Sequence, residues 1–211
     1  MTQTAGAATT EFWSGKGACA ADASARFPKL AALIGYLDRL DHRADLDELT
    51  RLLSELRVTR ADIAPCCSFG QRGYRRNTIC ESPWYELLAL CWRSGDRTPI
   101  HDHAGVSCAF KVIEGTGTEI RFSPTPSGLI CPVATIEMAP GYVCAAADAD
   151  IHEVANMQAP GTDLITLHMY SPPIRSMNTY DFTAPVSADT RNVYGSATKV
   201  ATVVEGEDIP C

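Results

Sequence analysis

His101-Asp102-His103 sits at the centre of a stretch from Gly95 to Gly115 that reads G-D-R-T-P-I-H-D-H-A-G-V-S-C-A-F-K-V-I-E-G. Between Pro99 and the apolar run Ala109 to Ile113 the chain is expected to be extended. Alternate side chains of a strand share a face, so the two imidazoles should project to one side. Neutral imidazole is the commonest protein ligand for a transition metal, and such a pair offers two adjacent coordination positions. Taken alone, the pair also fits a surface doublet or a core histidine. His152, in Ala149-Asp150-Ile151-His152-Glu153-Val154-Ala155-Asn156, is either a structural residue or a third ligand. Thr166, His168 and Tyr170 stand at i, i+2 and i+4, so one strand would aim all three the same way. Hydroxyl, imidazole and phenol in a row can form a hydrogen-bonded proton relay, or a polar lining that satisfies itself. Arg76, next to Arg75 and near Arg72, reads either as a solvated arginine or as a planar fork for a carboxylate.

Elements to position these residues are visible on both sides. Phe27, Leu30, Leu33, Ile34, Leu37 and Leu40 recur at helical spacing from Ser24 onward, with Pro28 suited to a first turn. Asp45 reads as an N-cap with Glu48 three residues on, ahead of the stripe Leu46, Leu49, Leu52, Leu53 and Leu56. Both helices need something larger to cover their apolar faces. Beyond Asp62 the pattern becomes short strands: Tyr74 to Ile79, Ser107 to Ile113, Thr118 to Phe122, Leu129 to Glu137, Ile151 to Val154 and Asp163 to Tyr170. Trp84 to Trp92 is a nearly continuous apolar run, expected to be a strand buried on both faces. Pro124, Pro126, Pro140-Gly141 and Pro160-Gly161 punctuate the strands, and no helix separates them, which suggests a sandwich or barrel. The expected organisation is a loose arm over 1–22, a helical segment over 23–62, a barrel over 63–195 and a tail over 196–211. The polar chain from Ser187 onward is assigned no element.

The 211 residues are 45% apolar and 20% charged, enough for one domain with a real core. No apolar run is long enough to span a bilayer, and Met1 to Lys16 lacks the character of a signal peptide. A net charge of −7 without a basic run argues against nucleic acid as the main partner. Nine cysteines form no C-x-x-C pair, so neither a zinc site nor a redox dithiol is signalled. Several lie in apolar surroundings, as Cys91 and Cys131 do, and the expectation is mostly free thiols in a reducing cytoplasm.

Gly95, His101, His103 and Gly115 fall at the spacing of the first cupin motif, G-x5-H-x-H-x(3,4)-E-x6-G, with Cys108 where most cupins carry a ligating Glu. His152 and Asn156 match the end of the second motif, whereas Pro140-Gly141 stands too far upstream to match its start. Adding His168-Met169-Tyr170-Ser171-Pro172-Pro173, Tyr74-Arg75-Arg76-Asn77 and Leu90-Cys91-Trp92, the chain resembles the thiol dioxygenases over Tyr74 to Pro173. Within them it is most similar to the cysteine dioxygenase family. The resemblance implies a mainly β fold, a jelly-roll-like cupin barrel carrying an N-terminal helical segment.

It further implies that His101, His103 and His152 hold Fe(II), leaving room for substrate sulfur and nitrogen and for dioxygen. Ligand type alone leaves zinc, manganese or nickel open. Arg76 would hold the carboxylate of L-cysteine, assisted by Tyr74, and some relatives that act on 3-mercaptopropionate carry Gln at this place. Tyr170 would stand near the reacting sulfur, oriented by His168 and Thr166, the latter a Ser in most relatives. Cys108 occupies the position of a cysteine that animal-type members join to this tyrosine by a thioether. Ser171-Pro172 is expected to be cis, and Met177 and Trp92 to border the pocket, with the core a second place for Trp92. The implied reaction is L-cysteine and dioxygen to cysteine sulfinic acid, by a monomer without membrane or nucleic-acid partners. Rival readings are a dioxygenase of 3-mercaptopropionate, mercaptosuccinate or a similar thiol acid, a Mn or Zn cupin isomerase or hydrolase, and a non-catalytic cupin that binds a metal or thiol.

Overall fold

A computed structural model describes residues 18–103, 105–147, 150–181 and 191–193. Residues 1–17 of the expected arm, and the whole of the expected tail 196–211, lie outside the described residues. Three α-helices precede the strands: α1 (Ala18–Arg26), α2 (Ala31–Leu37) and α3 (Leu46–Glu55). Helical structure therefore begins at Ala18, inside the stretch expected to be an arm. The single helix expected from Ser24 is broken instead. Phe27, with φ −126° and ψ 70°, leaves the helical region ahead of Pro28, which opens the 3-10 turn Pro28–Leu30. A residue before proline is driven from the α region by the pyrrolidine ring, and proline itself tolerates only a first-turn position. Asp45 caps α3, its carboxylate accepting the Glu48 N–H at 2.9 Å. A 3-10 segment Arg60–Cys66, closed by a Thr59–Asp62 capping box, leads into the strands.

Eleven strands follow among the described residues: β1 (Arg75–Glu81), β2 (Glu86–Trp92), β3 (Ile100–His101), β4 (Ser107–Glu114), β5 (Gly117–Pro124), β6 (Ile130–Met138), β7 (Val143–Ala147), β8 (His152–Ala155), β9 (Leu164–Ser171), β10 (Ser176–Tyr180) and β11 (Arg191–Val193). They form a five-stranded sheet in the order β1-β2-β9-β4-β7 and a six-stranded sheet in the order β11-β10-β3-β8-β5-β6, and the strands pair antiparallel throughout the described residues. The fold is mainly β, two sheets face to face with short helices outside, the architecture of a cupin barrel. Three strands have no counterpart in the sequence reading. Short β7 and β10 carry no strong alternation, and β11 lies in the polar chain to which no element was assigned. Its backbone finds a partner on β10 with Ser176 opposite Val193, a bond that needs nothing from the side chains.

The two-sided burial of β2 and β9 follows from this arrangement. Leu87, Ala89 and Cys91, with Ile165, Leu167 and Met169, pack outward against Phe27, Leu30, Leu33, Ile34, Leu49 and Leu53 of the helical segment. Leu88, Leu90 and Trp92, with Leu164 and Tyr170, face the barrel interior beside Cys108, Phe110 and Val154. Alternation along a strand sorts the residues, and the helices supply the second apolar partner. Glycine closes the loops at each end of the central stretch. Gly95 has φ +89° and Gly115 φ +76°, and a Cβ on Gly115 would lie 2.2 Å from the Asp163 carbonyl oxygen.

Lys111 of β4 is buried and turns toward the helices rather than solvent. Its ammonium donates to the carbonyls of Leu53 at 2.7 Å and Leu56 at 3.0 Å, groups the end of α3 leaves without an intrahelical donor. Replacing Lys111 with Met should keep the stem's packing and remove these charge-assisted bonds. A loss of about 1.5–3 kcal/mol is expected in chemical denaturation, and an unchanged midpoint would show that water serves these carbonyls equally well.

Candidate metal and oxygen-chemistry site

Register brings the first two histidines together. His101 on β3 pairs directly with His152 on β8, and their ring centroids stand 4.7 Å apart. His103 reaches them from outside a strand, because β3 ends at His101. Its ring lies 5.4 Å from His101 and 4.9 Å from His152. The expectation that both residues of the pair ride one strand is thus half met, and convergence is completed by the chain beyond it. Asp102 anchors the chain between the two histidines to β10. It is buried, and its carboxylate accepts from Asn178 Nδ2 at 2.9 Å and from the Tyr180 hydroxyl, both on β10. Asn156 braces the far end of β8, donating to the carbonyls of Trp92 at 3.1 Å and Thr162 at 2.9 Å.

One ligand atom from each of the three imidazoles lies within 4.8 Å of the others, and all three residues are buried. His152 Nε2 is buried without a hydrogen-bond partner, while its Nδ1 is engaged by Glu119 Oε1 at 2.8 Å. His101 Nδ1 is engaged by the Pro99 carbonyl at 2.9 Å. A buried lone pair without a donor is costly, and three converging nitrogens fit a transition-metal cation well. The three histidines form a site able to hold a metal ion.

Burial and the neighbouring imidazole of His152 pull His101 down to about 3. Burial, with His101 and His152 close by, pulls His103 down to about 2. Both rings are therefore neutral through the physiological range and ready to ligate.

The five-stranded sheet faces this trio with its own row. Cys108 pairs with Tyr170, Phe110 with His168 and Val112 with Thr166 across β4 and β9. The Tyr170 hydroxyl and His168 Nδ1 are 3.3 Å apart, and the Tyr170 ring centroid is 6.1 Å from that of His103. Phe110 stacks on His168 at 4.8 Å, fixing the plane of the ring. Burial drives His168 well below its ordinary value, so it too is neutral. The Thr166 hydroxyl shares the face, but it accepts from the Trp92 indole at 3.0 Å, and His168 Nε2 has no partner. A fully buried indole N–H must find an acceptor, and Thr166 is the one within reach. The expected three-membered relay is thus a two-membered contact in this structure. Burial raises the Cys108 thiol far above its usual range, an effect opposed by its hydrogen bond with Tyr170.

Tyr74 stacks on Trp92 with centroids 4.3 Å apart, and both line the cavity with Leu90, Val154 and the histidines. Arg76 does not line this cavity, and its guanidinium lies 5.4 Å from the Tyr170 ring centroid. Its Nη2 donates at 2.7 Å to Glu86, a buried carboxylate that also accepts from Ile174 N–H at 3.3 Å. Met177 belongs to the apolar cluster on this side, and Ser171-Pro172 is cis. Glu86, Asp102 and Glu119 all escaped the sequence reading. Glu119 and Arg121 carry a faint signal, opposite charges two apart on one strand, a pattern more common on solvated faces.

The acid response of the metal-free protein follows from the two lowered imidazoles. An unfolded chain takes up protons at His101 and His103 near 6.5, whereas the folded chain does so only near 3 and 2. Below pH 6.5 the unfolded state therefore binds more protons, and stability falls as pH falls, by about 1.4 kcal/mol per pH unit for each group. Above pH 6.5 neither contributes a slope. The thermal midpoint of the metal-free protein should decline between pH 6.5 and 4, and His103→Asn should flatten the decline. A profile level across that window would mean the rings are open to protonation in the folded state.

Comparison with known proteins places these features in context. A sequence profile described as "Cysteine dioxygenase type I" matches residues 19–183. The cysteine dioxygenase type 1 of Danio rerio is 26% identical over 142 residues, 65% of this chain and 70% of its own. That of Homo sapiens is 26% identical over 158 residues, 72% of this chain and 78% of its own. Among solved structures, a conserved protein with a double-stranded beta-helix domain from Klebsiella pneumoniae aligns with a TM-score of 0.44 and 13% identity, covering 56% of this chain and 94% of that one. A cupin superfamily protein from Desulfitobacterium hafniense aligns with a TM-score of 0.42 and 13% identity, covering 53% and 88%. No described helix is long and apolar enough to cross a membrane. The profile spans every site residue from Tyr74 to Tyr170 and far more than half of the sequence, so this chain belongs to the cysteine dioxygenase type I family.

Proposed function

We propose that this chain is an iron(II)-dependent thiol dioxygenase that converts L-cysteine and dioxygen to cysteine sulfinic acid, acting as a monomer in a reducing cytoplasm. The observation that carries the reading is the face-to-face placement of the two sheets' polar residues. Three neutral imidazoles converge on one side of a cavity, and the Tyr170–His168 pair stands on the other. His101, His103 and His152 hold the iron in this proposal, which supplies the activation of dioxygen and of the substrate thiolate. Both oxygen atoms end on sulfur, so no external reductant enters the balance.

The remaining roles belong to the chain's own groups. Arg76 receives the substrate carboxylate, with its guanidinium oriented by Glu86 on one edge and by the Tyr170 ring on one face. Tyr74, held against Trp92, closes that end of the cavity. Tyr170 offers its hydroxyl to the reacting sulfur and oxygen, and His168 orients it and exchanges its proton. Thr166 keeps the row in place through Trp92. Leu90, Val154 and Trp92 keep water from the reacting atoms. Among the described residues Cys66, Cys67, Cys80, Cys91, Cys108 and Cys144 are free thiols, whereas Cys131 is disulfide-bonded, so the expectation of a free thiol fails there and the cytoplasmic setting rests on the family alone.

Oxygen uptake by the iron-loaded protein, followed with cysteine, 3-mercaptopropionate and mercaptosuccinate, tests the assignment. Cysteine should give the highest kcat/KM, with sulfinate formed in step with oxygen consumed. Arg76→Ala should weaken cysteine binding by about 1.5–3 kcal/mol, the cost of a charge-assisted contact. Preference for another thiol would replace the substrate and keep the chemistry. No oxygen uptake with any thiol would refute the enzyme.

Cys108 and Tyr170 are direct cross-strand partners, which supports a thioether between them. Forming it joins sulfur to a ring carbon, removes the thiol and ring hydrogens, and passes two electrons to dioxygen. Intact mass after turnover should be lower by the mass of a pair of hydrogens, and Cys108→Ser should abolish the deficit. An unchanged mass after exhaustive turnover would exclude the crosslink.

A further inference from the structure

The carboxylate behind His152 has a placement that surface chemistry does not explain. Glu119 is fully buried on β5, the strand that flanks β8 on the side away from β3. Its Oε1 meets His152 Nδ1 at 2.8 Å, and its Oε2 accepts from Arg121 Nη2 at 3.0 Å. Arg121 is the direct cross-strand partner of His152, so ring, carboxylate and guanidinium share one face of the ladder. A buried carboxylate with two donors in this geometry is held charged and immobile.

The three imidazoles are backed unequally. His101 has the neutral Pro99 carbonyl behind it, and His103 Nδ1 has no hydrogen-bond partner. Only His152, among the three, has an anion. Neutral imidazole carries one N–H and one lone pair, so donation from Nδ1 to Glu119 leaves the lone pair on Nε2. That atom is the buried one without a partner. Glu119, Asp150 and His152 also come within 4.8 Å as a possible cation cluster. Asp150 lies 3.9 Å from Nδ1, beyond hydrogen-bond reach, and an Nδ1 that donates to Glu119 has no lone pair for a second cation.

We propose that Glu119 is a positioning residue for the metal, which fixes the tautomer and plane of His152 and makes it the strongest donor of the three. The inference rests on the three-histidine reading of the centre. In this chain the carboxylate at the centre acts through an imidazole, Glu119 Oε1 meeting His152 Nδ1. Removing such a partner ordinarily weakens metal binding about 10–100-fold.

The test uses Co(II) and anaerobic Fe(II) as probes of the full-length protein, with affinity read by competition against a chelator. E119Q should bind each ion about 10–100-fold more weakly than the unaltered chain. The ligand-field bands of bound Co(II) should also move to longer wavelength, which a loss of packing alone would not produce. If E119Q does not fold, E119D draws the carboxylate back by one methylene, and a smaller loss with the same direction of band shift is expected. Wild-type affinity and unshifted bands in either folded variant overturn the role of Glu119. His101→Ala and His152→Ala separate the two readings. If both lose the metal while E119Q keeps it, only the present inference falls; if both retain it, the three-histidine centre falls as well.

Discussion

Antiparallel pairing leaves a side chain no choice of face, and the site depends on that constraint twice. With His101 set opposite His152 in one sheet, two imidazoles meet without help from any loop. With Cys108 set opposite Tyr170 in the other, the thiol and phenol meet in the same way. A slip of one residue in either ladder would turn every one of these groups to the opposite side. The precision of the cavity is therefore largely a property of backbone hydrogen bonds in the two ladders, and among the groups outside the strands are His103, beside an Asp102 bonded to Asn178 of β10, and Tyr74.

Burial then sets the chemistry. The same dry interior that makes the imidazoles neutral would be intolerable for unpaired charges, and Arg76 and Glu119 near the site each face an opposite charge. Arg76 faces Glu86 at 2.7 Å, and Glu119 faces both His152 and Arg121. Such pairs are weak evidence for stability, because desolvation offsets most of their attraction. They are stronger evidence for geometry. A guanidinium held by a carboxylate and, on one face, by a phenol ring has few orientations left.

Much of this was legible in the residues themselves. The H-x-H pair, the Thr166-His168-Tyr170 alternation and the apolar run into Trp92 all have a period that the strands reproduce. Glycines at 95 and 115 do adopt the conformations that only glycine takes easily. What stayed hidden was carboxylate chemistry. Glu86, Asp102 and Glu119 look like ordinary polar positions, since their partners Arg76, Asn178 and His152 sit on other strands, Arg76 in the same hairpin and the other two far along the chain. Thr166 shows the same limit from the other side: alternation placed its hydroxyl on the right face, but the competing indole of Trp92 decided where it bonds. Local period reveals faces, and pairing across strands reveals partners.

Lys111 carries a consequence for how the molecule comes apart. Its ammonium, rooted in β4, is lodged among the last carbonyls of α3, and the outer faces of β2 and β9 rest on the helices. No seam of weak contact therefore runs between residues 62 and 63. Peeling the helices away would expose one entire apolar face of the central sheet to water and break the Lys111 bonds to the α3 carbonyls, so helices and barrel melt as a single cooperative body, and amide protons in β9 exchange no sooner than those of α3.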